Sequence, residues 1–186
     1  RLSGNRPRDP ASRPAGARNT LNGGSKVGRN TPLTVRRAEW IVAALITLAA
    51  VYLHVVYLWH AGGLWRDEAG FVRLATLASL HDVWEMLPHD HCPILAPVVL
   101  RTWWAAGWGT TDFGLRVLGL LIGLLLPMAI WAASRIMRGG FPLLPLALVA
   151  LNVTAIQVGD SLRAYGLGSA LSVLSLALIW RAAQTP

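Results

Sequence analysis

The chain has 186 residues, of which 54% are hydrophobic and only 14% are charged. Its mean hydropathy of +0.46 and its long apolar blocks exclude an ordinary soluble domain and indicate an integral membrane protein. The formal net charge of +8 belongs entirely to residues 1–37, which hold nine basic residues against Asp9 alone.

Residues 1–35 are rich in Pro, Gly, Ser, Asn and Arg and have no apolar periodicity. Such a segment cannot bury enough apolar surface to fold alone, so we predict a disordered cytoplasmic tail, followed by a membrane domain over residues 36–186. A basic tail can bind nucleic acid, but this one has no interleaved aromatic residues and directly precedes an apolar segment. Membrane lipids are therefore the expected partner, and nucleic acid is not.

The apolar blocks predict an all-α integral membrane fold with about four transmembrane helices, near residues 39–60, 115–134, 141–158 and 164–180. The first block is long enough, at about 1.5 Å per residue, to cross about 30 Å of hydrocarbon. Arg36 and Arg37 place its start on the cytoplasmic side, so the first loop, residues 61–113, faces outward. We interpret His54, within this first span, as a residue of helix packing.

The outward loop shows helical signals without the length of a span. Apolar residues between positions 71 and 78 recur at helical spacing, which predicts an amphipathic helix along the membrane surface. Asp82 and Glu85 resemble a capping box for a second short helix, which we expect to end at Pro88. These are the interfacial helices of the predicted fold.

Residues 94–108 decide the predicted topology, because they are apolar but short and have Arg101 in the middle. If they crossed the membrane, the later basic residues Arg135, Arg138 and Arg181 would lie outside, against the positive-inside rule. We therefore predict that this segment stays at the outer interface.

This topology brings charged residues to the outer face. Asp67 and Glu68 directly follow the first span, Arg116 begins the second, and Asp160 and Arg163 lie between the third and the fourth. Acids and arginines gathered at one membrane face are candidates for function. The alternative is that they are ordinary interfacial charges that snorkel or satisfy helix ends.

A cluster of titratable residues, His89, Asp90, His91 and Cys92, ends the first part of the loop and resembles a metal site. No second pair of ligands follows at a standard zinc spacing, so no metal or other cofactor is expected, although a divalent cation is left open. We interpret His91 as a hydrogen-bond donor that lines a cavity.

Four motifs occur in a defined order. The Asp67-Glu68 pair is followed by a His-x-Pro that ends at Pro93, by a Gly-Trp-Gly-x-x-x-x-Gly-x-Arg that ends at Arg116, and by an Arg-x-Tyr-x-Leu that begins at Arg163. Together they resemble the N-terminal part of the C-type membrane glycosyltransferases, which include the protein O-mannosyltransferases and the lipid A aminoarabinose transferases.

The resemblance covers residues 38–182 and has one departure. Members often carry an acid two residues before the arginine of Arg-x-Tyr, where this chain has Ser161. Asp160 lies one residue further back, and we keep it as a candidate for substrate binding. Complete members have more spans than four, so we expect the chain to be the N-terminal part of a longer protein.

The resemblance implies transfer of a sugar, with inversion, from a polyprenyl-phosphate donor to a hydroxyl of a glycan, lipid or protein. The reaction would take place on the outer face of the inner or plasma membrane. Asp67 would be the general base, and Glu68 would orient it or bind the acceptor, unless Glu68 is only a first-turn helix charge. Arg163, with Arg116 second, would stabilise the phosphate, and Tyr165 would stack on the sugar or belong to the interfacial belt.

Two other classes remain open. In a transporter subunit, charges would line a path at mid-depth, whereas nearly all charges here are expected at one face. In a non-catalytic membrane scaffold, the clustered acids would serve only solubility.

Overall fold

The computed structural model describes residues 33–90, 92–137 and 141–184. All regular structure in these ranges is helical, which confirms the predicted all-α class. The helices are α1 (Leu33–His60), α2 (Arg66–Ala75), α3 (Leu80–Asp90), α4 (Leu95–Ala105), α5 (Asp112–Ile136), α6 (Leu143–Pro145), α7 (Val153–Gly159) and α8 (Tyr165–Ala183). The predicted tail, residues 1–35, lies outside the described residues except for its last three, which begin α1.

Three of the described helices are long and apolar enough to cross a membrane. They are Arg37–His60 within α1, and the whole of α5 and α8. Each matches a predicted span to within a few residues at either end. The chain is therefore built around the apolar helices of a membrane protein.

The remaining predicted span, residues 141–158, does not form one continuous helix. A π-helical turn, Leu146–Ala150, follows α6, and the chain breaks before α7. The side chain of Asn152 accepts a hydrogen bond from the backbone N–H of Ala155 at 3.1 Å, so it starts a new helix instead of continuing the old one. Hydropathy measures apolar content and does not detect this break.

Aromatic contacts at both ends of α1 and α5 show that these helices run antiparallel. The rings of Trp59 and Phe113 lie 5.7 Å apart at one end, and those of Trp40 and Trp131 lie 5.6 Å apart at the other. The indole N–H of Trp131 also donates to the hydroxyl of Thr47 at 3.0 Å.

Helix α8 packs along α5 in the same direction. Leu167, near the start of α8, packs in the apolar cluster of Ile122, whereas Val173 packs in the cluster of Ile130, about two turns further along α5. Gly166 lets the start of α8 approach both α7 and α5, since a Cβ atom there would meet the backbone oxygen of Gly159 and the side chain of Ile122.

Helices α2, α3 and α4 fill the first loop and share an apolar cluster with the first turns of α5. The guanidinium of Arg101 donates to the carbonyl oxygen of Ala75, at the C-terminal end of α2, and to those of Leu77 and Ala78 in the following turn, at 2.6–3.1 Å. Helix α4 has 11 residues, so it is about 16 Å long and too short to cross the bilayer.

Two details of the predicted loop helices were wrong. The capping box of α3 joins Ser79 and Asp82, whose backbone N–H groups each donate to the other's side chain at 2.9 and 3.1 Å. Glu85 instead lies 3.2 Å from His81 on the exposed face of the helix. Pro88 lies inside α3, which continues to Asp90.

Candidate functional site

A cavity of about 710 Å³ opens where α1 ends, α2 begins and the turn between α7 and α8 passes. Four of the predicted site residues, Asp67, Glu68, Arg163 and Tyr165, lie in its wall. Residues nearly a hundred positions apart in the chain therefore meet at one end of the apolar helices. Helix α5 carries the chain to the N-terminal end of α1. The segment after α5 then runs back beside α1, from Phe141 near Trp40 to Asp160 near His54, and returns the α7–α8 turn to the C-terminal end of α1.

Asp67 and Arg163 form an ion pair across the cavity. The Oδ2 atom of Asp67 lies 3.2 Å from the Nη1 atom of Arg163, and the two side chains are 71% and 29% exposed. The guanidinium of Arg163 also lies over the ring of Tyr165, 5.7 Å from its centroid. A carboxylate and a cation that both reach solvent are accessible to a ligand in the cavity.

Glu68, the neighbour of Asp67, is buried and bound on both carboxylate oxygens. Its Oε1 atom accepts from the guanidinium of Arg116 at 3.0 Å and from the backbone N–H of Leu162 at 3.2 Å. Its Oε2 atom accepts from the backbone N–H of Trp65 at 3.0 Å. One carboxylate thus joins α2, α5 and the turn between α7 and α8.

Arg116 is directed into the same buried network. Besides Glu68, it donates to the carbonyl oxygens of Gly62 at 3.4 Å and Gly63 at 2.6 Å. Gly62 has a φ angle of +66°, which allows the sharp turn that presents these carbonyls. The geometry favours a structural role for Glu68 and Arg116. Of the two arginines predicted to stabilise the phosphate, it leaves Arg163 as the one that a phosphate in the cavity can reach.

Asp160 is buried between α1 and α5, away from the solvent-accessible part of the cavity. Its Oδ1 atom lies 2.6 Å from the Nδ1 atom of His54, and both side chains are almost fully buried. The backbones of Gly119 and Gly123 leave room for Asp160, since a Cβ atom at either position would overlap it. This placement favours an anchoring role over substrate binding, and it agrees with the interpretation of His54 as a packing residue.

The predicted cavity-lining residue His91 lies outside the described residues. Its neighbour Cys92 lines a second cavity of about 540 Å³, which shares Arg163 and Tyr165 with the first and continues along Ser169 and Ser172 of α8. Burial raises the pKa of the Cys92 thiol, the nearby Asp90 carboxylate raises it further, and Arg163 opposes both. Among the residues that the structure describes, no group of three or more His, Cys, Asp and Glu is arranged to hold a metal ion.

Sequence reasoning did not identify several residues of the two cavity walls. Tyr57, His60, Arg66 and Gln157 line the first cavity. Tyr57 and His60 are three residues apart at the end of α1, and Ser169 and Ser172 have the same spacing on α8. Polar residues repeated on one face of an otherwise apolar helix were the signal that could have found them.

Comparison of the chain with protein-family models, with curated proteins and with solved structures finds no match. The resemblance of its motifs to the C-type glycosyltransferases stays a prediction. The functional argument therefore depends on the residues of the cavity and on their chemistry.

Proposed function

We propose that the chain is part of a membrane glycosyltransferase that uses a polyprenyl-phosphate sugar donor. The observation that carries the proposal is the accessible pair of Asp67 and Arg163 in one cavity at the end of apolar helices. A carboxylate accepts the proton of an attacking hydroxyl, and a guanidinium binds phosphate through paired, charge-assisted hydrogen bonds. The four ordered motifs of the sequence support the same class.

The size of the cavity suits a sugar phosphate. Ligand sites for small molecules are commonly about 300–1,000 Å³, and this cavity measures about 710 Å³. Trp65 and Tyr165 in its wall offer aromatic faces on which a sugar ring can pack. The second cavity adjoins the first at Arg163 and follows Ser169 and Ser172 of α8, and we propose that the apolar tail attached to the phosphate lies along it.

A fourth crossing by the broken segment, residues 141–159, belongs to the proposal. Phe141 contacts Trp40 near the start of α1, with ring centroids 5.3 Å apart. Leu146 clusters with Ala50 further along, and the segment ends beside His54. Irregular backbone is tolerated at membrane depth where protein buries it or where it lines a cavity.

The positive-inside rule then orients the site. Arg37, Arg135 and Arg181 occupy the end of the helices opposite the cavity. If that end is cytoplasmic, the cavity with Asp67 and Arg163 opens on the outer face of the membrane. A donor anchored in the bilayer would present its sugar there, to a glycan, lipid or protein acceptor.

The proposed reaction is a single displacement at the anomeric carbon. The oxygen of the acceptor hydroxyl forms a bond to that carbon while the proton of the hydroxyl passes to Asp67. The bond from the anomeric carbon to the phosphate oxygen breaks, its electron pair stays on the phosphate, and polyprenyl phosphate leaves. Arg163 stabilises the charge that develops, so no carboxylic acid is needed to protonate the leaving group, and the configuration inverts.

Transfer of labelled sugar from a panel of polyprenyl-phosphate donors tests the proposal, in membranes that contain the full-length protein. We expect Asp67→Asn to lower transfer about 10²–10⁴-fold, because a positioned base contributes about that much. Glu85→Gln is the matched control, since Glu85 is exposed on α3 and does not line the cavity. Equal transfer by Asp67→Asn and the wild type would exclude Asp67 as the general base. No transfer by the wild type with any donor would favour a transporter or a scaffold.

A further inference from the structure

The ion pair between Asp67 and Arg163 joins the two groups that the proposed reaction uses separately. Asp67 is 71% exposed and Arg163 is 29% exposed, and their nearest charged atoms lie 3.2 Å apart. Exposed ion pairs of this kind contribute little to the stability of a protein, because water screens the two charges. An incoming anion can therefore break the pair at small cost.

The wall of the cavity carries more accessible positive than negative charge. Arg66 lines it beside Asp67, and no ion pair to Arg66 is present in the described part of the chain. Glu68 also belongs to the wall, but its carboxylate is bound to Arg116 and to two backbone N–H groups. An anion that enters the cavity therefore meets two arginines, and its accessible competitor is the carboxylate of Asp67.

A phosphate is the stronger ligand for these arginines. A phosphate can form two parallel hydrogen bonds to one planar guanidinium, and its remaining oxygen can bind a second arginine. Asp67, in contrast, contacts Arg163 through one carboxylate oxygen at 3.2 Å. We propose that Arg163 and Arg66 form a phosphate site and that Asp67, which is paired with Arg163, competes with phosphate for it. A phosphate-bearing ligand releases Asp67 by displacing it from Arg163.

The displacement would impose an order on the reaction. Asp67 would be freed to accept a proton only after the phosphate of the donor has replaced it on Arg163. This consequence rests on the proposed function, whereas the competition between Asp67 and phosphate does not. The competition is therefore tested by binding alone, without a sugar and without turnover.

The test measures binding of inorganic phosphate and, separately, of a sugar-free polyprenyl phosphate to the purified full-length protein in detergent, by calorimetry at fixed ionic strength. Asp67→Asn removes the competing carboxylate and should lower the Kd about two- to fivefold, because that factor corresponds to the free energy of an exposed ion pair. Arg66→Gln should weaken it, and Glu85→Gln should leave it unchanged. Asp67→Ser provides a second competitor-free variant if the first does not fold.

The two ligands separate the phosphate group from the lipid tail. Tightening with both ligands would mean that phosphate alone displaces Asp67, and tightening with polyprenyl phosphate only would mean that the tail must hold the phosphate in place. Unchanged or weaker binding of both ligands by Asp67→Asn and Asp67→Ser would overturn the inference. Unchanged binding by Arg66→Gln would remove Arg66 from the site.

The outcome is distinguishable from failure of the proposed function. If Asp67→Asn binds phosphate more tightly but the wild-type protein transfers no sugar, the phosphate site is supported and the transferase activity is excluded. If the wild-type protein transfers sugar but Asp67→Asn binds phosphate no more tightly, the transferase activity is supported and the displacement of Asp67 is excluded.

Discussion

The carboxylate of Glu68 lies 3.0 Å from the guanidinium of Arg116, in a pair whose two residues are 4% and 5% exposed. We expect Glu68→Ala to destabilise the protein by about 3–5 kcal/mol, because it leaves the buried charge of Arg116 without its partner. A fall in the midpoint of thermal unfolding in detergent would measure this loss.

The adjacent Asp67 offers a matched control for Glu68. Asp67→Ala changes an exposed acid on the same helix and should alter stability by no more than about 1 kcal/mol, the contribution of an exposed ion pair. If Glu68→Gln folded with wild-type stability but lost sugar transfer, Glu68 would have a catalytic rather than a structural role.

Gly119 on α5 is a second position where the packing of the site can be tested. A Cβ atom there would overlap the carbonyl oxygen of Asp160, a backbone atom that cannot move without shifting the turn that carries Arg163. We expect Gly119→Ala to cost about 1–3 kcal/mol and to reduce sugar transfer by the folded protein.

Gly70 on α2 is the comparison for Gly119, since a Cβ atom there would meet no atom within 4 Å. Gly70→Ala should be neutral or stabilise the protein by up to about 1 kcal/mol, because alanine favours a helix. Equal stability of the two alanine variants would contradict the close packing of α5 against Asp160.

Cys92 is the only cysteine among these 186 residues, so it can be labelled selectively once any cysteine outside them is replaced by serine. Burial raises the pKa of its thiol, and only the thiolate reacts quickly. Its reaction with a maleimide should therefore be slow at neutral pH and should accelerate about tenfold per pH unit as long as the pH stays below the raised pKa. Polyprenyl phosphate should slow the reaction, because Cys92 and Arg163 line the same cavity.

The sidedness of Cys92 labelling tests the proposed orientation. A membrane-impermeant maleimide added to intact cells should react with Cys92 only from outside. Labelling that requires opened cells would invert the topology, and a rate that does not change between about pH 7 and 9 would contradict the raised pKa.

A substitution at Arg101 tests whether this side chain stabilises the first loop. Arg101→Met removes the donor to the carbonyl oxygen of Ala75, the last residue of α2, and to those of Leu77 and Ala78 in the turn that follows. We expect a loss of about 1.5–3 kcal/mol and faster proteolysis between α2 and α3. Arg73→Met, an exposed change in the last turn of α2, is the control and should cost less than about 1 kcal/mol. Equal effects of the two variants would mean that Arg101 does not hold α2.

The sequence predicted the long apolar helices because length and hydropathy alone define them. It did not predict the break at Asn152, since one capping side chain changes the average apolar content very little. It also did not separate Asp67 from Glu68, because adjacent acids look alike in a sequence. On a helix they point about 100° apart, and only the packing of α2 on α5 decides which carboxylate is buried.

The turn between α7 and α8 limits how Arg163 can move. His54 holds Asp160, and Glu68 holds the backbone N–H of Leu162, so the chain is restrained at two points within the three residues before Arg163. Exchange of Arg163 between a carboxylate and a phosphate then requires side-chain rotation but no rearrangement of the turn. Side-chain rotations take picoseconds to nanoseconds, whereas lid movements take microseconds or longer. In the proposed reaction, binding and release of the lipid donor, rather than a lid movement of the protein, would then limit the rate of turnover.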